Sequence, residues 1–239
     1  MDPTKIAWFD DQVRAFSAER AEFLALHTRV AKAHPDWAPK NDARISLLGK
    51  QVNFLFTTIV NLRLLQHAVD DMRFWSLTIS RELDRPDKVA PAVFELITFY
   101  RVATLVFVFP AVEHGMRAML RTIRPSAQAD GPFYNVYIAI LRSDCTVAHS
   151  QDHINLLDFL RTLRNTIHNN GVFLPTNGKN VDFTIAGRTY QFRVGRQADF
   201  FGWDTLLHIL PPLRTLLSDV MAAPEIEAIT FVEDVATHA

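Results

Sequence analysis

Apolar residues recur at steps of three and four along most of this chain, and the step changes to two only once. From Pro3 to roughly Ala33 the positions Ile6, Phe9, Val13, Phe16, Phe23, Leu24 and Leu26 follow a helical period. The segment HPDWAP, His34–Pro39, ends that helix with two prolines. Asn41 or Asp42 can cap a second helix. The spacing of Ile45, Leu48, Val52, Leu55, Ile59, Leu62, Leu65, Val69, Met72 and Trp75 carries it to about Leu83. That heptad-like run suits burial in a helical bundle or a coiled-coil seam. A polar break, Glu82–Lys88, precedes a third helix over about Val89–Ile123, which Pro110 should kink or divide. Beyond the turn-rich connector Pro125–Pro132, Phe133–Arg142 reads as a short helix.

The next helix, ending at His168, has two distinct edges. Leu156, Leu160, Leu163 and Ile167 make an apolar stripe. Arg161, Arg164 and His168 share a second face, roughly 100° around the same cylinder. Ser150 or Asp152 can cap its start, and Asn169, Asn170 and Gly171 are residue types that close a helix in the left-handed conformation. His168 therefore falls in the last turn, where the helix dipole favours an imidazolium. After Gly171 the period becomes two: Val181–Val194 alternates around Ala186–Gly187 as a hairpin would. A lone hairpin is marginally stable, so this one must pack on the helices. Arg188, Arg193 and Arg196 make it locally basic. Trp203 to about Met221 forms the last helix, broken or kinked at Pro211–Pro212, and an acidic tail follows with another helical turn around Ile226–Val232.

Composition narrows the class. The 239 residues suffice for one large domain or two small ones, with 49% hydrophobic and 21% charged residues. Eighteen phenylalanines point to a large, tightly packed core. A net charge of −1 gives no global case for nucleic acid or an anionic membrane, so any nucleic-acid contact must use a local patch. The single cysteine, Cys145, rules out an intrachain disulfide and suits a reducing compartment. The longest apolar run, Ala103–Val112, is about half of the ~20 residues a membrane span needs. A soluble cytoplasmic protein with no membrane partner is expected.

Three groups of side chains could carry chemistry. Glu113 and Arg117, with His114 between them, are either a solvated helical ion pair or a bundle-facing carboxylate that orients Arg164 or His168. CTVAHSQDH, Cys145–His153, gathers a thiol, two imidazoles and Asp152, but its spacing matches no common zinc pattern, so a polar loop and no metal are expected. No glycine-rich phosphate loop, nucleophile elbow, HExxH or EF-hand pattern occurs, and no cofactor is expected. The third group is the end of the Arg/His helix.

There, at Arg164–Gly171, RNTIHNNG resembles the HEPN superfamily of compact helical domains. Its signature is an Arg, often followed by Asn, with a His four to six intervening residues further on. Arg164–Asn165 supplies the pair and His168 the His, across three intervening residues; counted from Arg161, six intervene but Thr162 replaces the Asn. The resemblance implies a mainly α, HEPN-like helical bundle over 45–220, including the hairpin 181–194 after the motif helix. Residues 1–44 would be an N-terminal helical extension and 221–239 a C-terminal tail. It also implies a homodimer with the motif helices facing each other.

Two activities follow from it: a metal-independent endoribonuclease of a toxin–antitoxin or phage-defence system, with RNA and a cognate antitoxin as partners, or a catalytically silent module binding a protein or nucleotide. In the first, His168 is the acid/base and Arg164 the phosphate-stabilising cation. Asn165 contacts substrate or braces the helix end, Glu113 orients, and Arg161 and Asn169 help bind substrate.

Overall fold

The first two helices run antiparallel because their apolar stripes can only be buried against each other across a short connection. In the computed structural model, which describes residues 3–37, 41–69, 71, 73–126 and 129–234, α1 spans Pro3–Ala33 and α2 Ala43–Ala68. Asp10 meets Arg63, Arg20 lies over Phe56, and His27 comes beside Gly49. Pro39, Met72, Ala127, Gln128, residues 235–239 and the side chain of Ile6, which the sequence placed in a break, helices, a connector and a tail, lie outside the described residues.

Asp42 caps α2, its carboxylate accepting from the Arg44 amide. The helix does not reach Leu83. It stops at Ala68, and the chain resumes in a π-helical turn, Phe74–Ile79. Two side chains make that break: Asp71 accepts from the Phe74 amide, and the Trp75 indole folds back to donate to Ala68 O at 2.7 Å. Trp75 then seeds a small second cluster with Val89 and Val93.

α3, Pro86–Ile123, is continuous through Pro91 and Pro110, so Pro110 does not divide it. Pro110 is exposed, where water can take the carbonyl it leaves unbonded. Among the described residues, its Asp87–Ile123 stretch is the one helix long and apolar enough to cross a membrane by length and composition, with 28% of its most apolar window buried. The contiguous run Ala103–Val112 understates this, because the apolar residues are spread along ten turns. Phe94, Phe99 and Phe107 stand 63–66% exposed on it.

α4, Phe133–Ile138, continues as a π-helical turn to Asp144. α5 spans Ser150–His168. Neither Ser150 nor Asp152 caps it. The residue before the helix is His149 in the left-handed conformation (φ 52°), and Ser150 and Asp152 already belong to the first turn. The other end closes as its residue types suggest, with Asn170 and Gly171 at positive φ and the Gly171 amide donating back to Thr166 O at 2.9 Å.

The period-two segment is a two-stranded antiparallel hairpin, β1 Val181–Ile185 and β2 Arg188–Phe192, turning at Ala186–Gly187 with both residues at positive φ. Phe183, Ile185, Tyr190 and Phe192 are buried and the alternate positions face out. Phe159 of α5 meets Phe183, Tyr190 and Phe192 with ring centroids 4.7–6.0 Å apart. Asn155 and His208 hydrogen-bond the carbonyls of Thr184 and Ile185, both at 2.8 Å.

α6, Trp203–Met221, also runs unbroken through its two prolines, and α7 is the short turn Pro224–Glu227. One core is continuous from Phe9 of α1 to Val232 of the C-terminal segment, so both chain ends share it with the central helices. Its tail end is pinned at the start of α2, where Asp42 and Arg44 are fully buried. The protein is mainly helical with a single small hairpin among the described residues.

Candidate functional site

Each residue turns an α-helix by about 100°, so His168 and Arg161 lie about 40° and 60° from Arg164 on the same side of α5. The structure keeps that arrangement accessible. Arg164 is 38% exposed at its side chain, Arg161 is 40% exposed, and His168 is exposed beyond them in the last turn.

The two arginines are held by different elements. Arg164 donates to Glu113 Oε2 of α3 at 3.1 Å, and its guanidinium lies 5.2 Å from the centre of the Phe109 ring. Glu113 receives Arg117 on its other oxygen at 2.6 Å, while Arg117 also donates to the carbonyls of Ala129 and Gly131. Glu113 thus pairs with Arg117 within α3 and reaches across to Arg164, and the α3 pair is not solvated, its side chains being 19% and 17% exposed. Arg117 is spent on Glu113 and backbone, whereas Nε and Nη2 of Arg164 hold no hydrogen bond among the described residues.

Gly115, two residues from Glu113, lets α3 approach α2 so tightly that a Cβ there would lie 2.6 Å from Leu47 Cδ2. Arg161 is steadied by Asp158 at 3.0 Å, one turn earlier, and by the ring of Tyr134 at 5.6 Å. Asp158 in turn accepts from the Tyr137 phenol at 2.5 Å. Burial, and then the neighbouring Asp158, push the Tyr137 hydroxyl well above the usual phenol range, so it stays a donor.

Beside the Arg161 edge lies a groove of about 540 Å³ between α5, Tyr134 and the loop leading to β1. Arg161, Asn165, Asn169 and Lys179 line it with Tyr134 and Asp158. The residues expected at the site thus divide. Arg161, Asn165 and Asn169 share the groove, Arg164 and Glu113 meet toward α3, and His168 stands exposed at the end of the helix. At this end of α5 Arg117 and Arg164 share the carboxylate of Glu113, Arg161 pairs with Asp158, and Lys179 lines the groove.

Sequence reasoning missed Asp158, Tyr134, Tyr137 and Lys179. The three-residue spacing of Asp158 and Arg161 was a usable signal; nothing in the linear order placed Lys179 by the groove. Cys145 is half-buried, and burial followed by the charges of Glu225 and Asp144 pushes its thiol up to about 12. It is therefore neither a ready nucleophile nor a ready metal ligand. Comparison with protein-family models, with curated proteins and with solved structures finds no match to this chain.

Proposed function

We propose that the C-terminal end of α5 binds RNA and cleaves it without a metal ion, as the HEPN-like reading of Arg164, Asn165 and His168 implies. The observation that carries this reading is the pairing of a guanidinium braced by Glu113, with donors left over, and an exposed imidazole one turn further along the same edge. His168 takes the proton of a ribose 2′-hydroxyl, and that oxygen attacks the adjacent phosphorus. The P–O5′ bond breaks, the 5′-oxygen takes a proton from the imidazolium of a second copy, and a 2′,3′-cyclic phosphate remains. Arg164 stabilises the charge gathering on the phosphoryl oxygens. Arg161, Lys179, Asn165 and Asn169 hold the flanking strand, and Tyr134 offers a face for a base to stack on. In this reading the protein is a cytoplasmic homodimer of a toxin–antitoxin or phage-defence system, restrained by a cognate antitoxin.

A second reading has its own support. Arg161 and Arg164 are both already engaged with carboxylates, at 3.0 and 3.1 Å, so a phosphate must compete for them. That favours an HEPN-like module that binds a nucleotide or protein partner without cutting. The two are separated by incubating RNA with wild type, Arg164→Ala and His168→Ala in the presence of EDTA. Glu113 keeps Arg117 in the first variant and His168 is exposed, so both variants should fold. Cyclic phosphate ends from the wild type alone support the enzyme. RNA bound but uncut by all three supports the silent module, and RNA neither bound nor cut removes the proposal.

A further inference from the structure

The opposite end of α5 holds a cluster to which the reading above assigns no role. His149 precedes the helix, His153 lies one turn into it, and Asp219 is in the last turn of α6. His149 Nδ1 and His153 Nε2 lie 2.9 and 2.8 Å from the same carboxylate oxygen, Asp219 Oδ2. All three ligand atoms fall within 4.8 Å of one another. His153 is 4% exposed and Asp219 19%, while His149 is 65% exposed on the left-handed residue that starts the helix.

We infer that His149, His153 and Asp219 form a binding site for a divalent transition metal ion, with zinc as the best-fitting occupant. Two imidazoles and one carboxylate are borderline ligands that select zinc over the hard ions calcium and magnesium. In a tetrahedral site with metal–ligand bonds of about 2.0–2.2 Å, donor atoms sit about 3.3 Å apart. The two histidine–carboxylate separations need open by only about half an ångström to admit the ion. Exposed His149 can supply the movement on its side, and rotation of the partly buried Asp219 carboxylate can supply it on the side of buried His153. Three protein ligands leave a position open, as in zinc sites that also take water or a ligand oxygen.

Space for such a ligand is present. A cleft of about 270 Å³ opens beside the imidazoles, lined by His149, Asp152, His153, Thr184, Ala186 and Thr215, so the hairpin turn forms its far wall. The site lies at the other end of a rigid helix. His153 and His168 are fifteen residues apart, about 22 Å along the axis, so the ion takes no part in chemistry at His168. Metal binding at this end of α5 is independent of any chemistry at His168.

The test is equilibrium dialysis of the full chain against zinc, with metal quantified per chain, and visible d–d absorption after loading cobalt(II). Wild type should take up one ion per chain and show the intense cobalt spectrum of a tetrahedral site. His149→Ala and Asp219→Asn should each weaken uptake at least tenfold while the circular dichroism is unchanged. His149 is exposed, so its variant reports binding rather than folding. No saturable uptake by wild type, or uptake that neither substitution alters, overturns the proposal.

Discussion

Replacing Arg44 with methionine removes a fully buried charge and should cost the fold about 3–5 kcal/mol. Its guanidinium grips Asp42 with two parallel bonds, at 2.8 and 2.7 Å, and donates to the carbonyls of Ile226 and Ile229 at 2.7 and 2.9 Å. It also lies 3.4 Å from the centre of the Trp37 ring. Methionine fills much of the same volume but makes none of these bonds. Asp42 would then be a fully buried carboxylate answered only by the amides of Arg44 and Val232. Ile226 O would keep the Ile229 amide at 3.3 Å, but the Ile229 carbonyl would lose its Arg44 donor and add about 1–3 kcal/mol if both stayed dry. The C-terminal segment can peel away and rehydrate them, so the total is capped near the cost of the broken pair.

For a chain of this length, the loss corresponds to a fall in Tm of about 6–20 °C. Urea unfolding followed by circular dichroism measures it for Arg44→Met, Asp42→Asn and the double variant. The double variant should lose much less than the sum of the singles, because each single strands the other partner. Additive losses, or a loss below about 1 kcal/mol for Arg44→Met, would refute the reasoning, since a buried unpaired carboxylate cannot be that cheap.

Gly115→Ala should destabilise by about 1–3 kcal/mol despite alanine's better helix propensity, because its Cβ would press on Leu47 Cδ2, Cγ and Cβ; thermal melts check it. Ala186 sits at φ 45° beside Gly187, so Ala186→Asn should raise stability by about 0.5–1 kcal/mol, and an unchanged urea midpoint would mean that the turn carries no strain. Tyr137 and Tyr190 both have hydroxyl pKa values raised chiefly by burial, so the folded chain keeps phenolic protons that the unfolded chain releases near pH 10. That contribution is complete below pH 10 and is lost as pH rises through the folded values. Urea midpoints between pH 8 and 11 should therefore fall less steeply in Tyr137→Phe than in wild type.

Local signals carried far in this chain, and tertiary ones did not. Pro3–Ala33, the turn at Ala186–Gly187 and the closure at Asn170–Gly171 follow from spacing and backbone preference, and the structure has all three. The end of α2 at Ala68 was hidden, since Val69 and Trp75 continue the apolar spacing. Only the folded chain brings the Trp75 indole back to the Ala68 carbonyl. Pro110, Pro211 and Pro212 each remove a hydrogen bond, yet α3 and α6 run through them undivided. The shared face of Arg161, Arg164 and His168 was legible from helix geometry alone. Its division was not, because Glu113 is 51 positions from Arg164 and the groove needs the loop before β1. For the same reason the pair His149 and His153 read as a loop: their third partner, Asp219, arrives from a helix 66 positions further on.

The two candidate sites depend on one piece of packing. Phe159, midway along α5, is ringed by Phe183, Tyr190 and Phe192, and this fixes the hairpin against the helix between its chemically distinct ends. Toward the start of α5 the hairpin turn closes the cleft beside His149 and His153; toward the end, the loop before β1 closes the groove beside Arg161 and Asn165. A substitution that loosens this aromatic contact, such as Phe192→Ala, should therefore weaken both sites together. Changes to the side chains at one end should leave the other untouched, because about 22 Å of hydrogen-bonded helix separates them. Zinc uptake that survives His168→Ala, alongside RNA binding that survives His149→Ala, is the pattern this architecture requires.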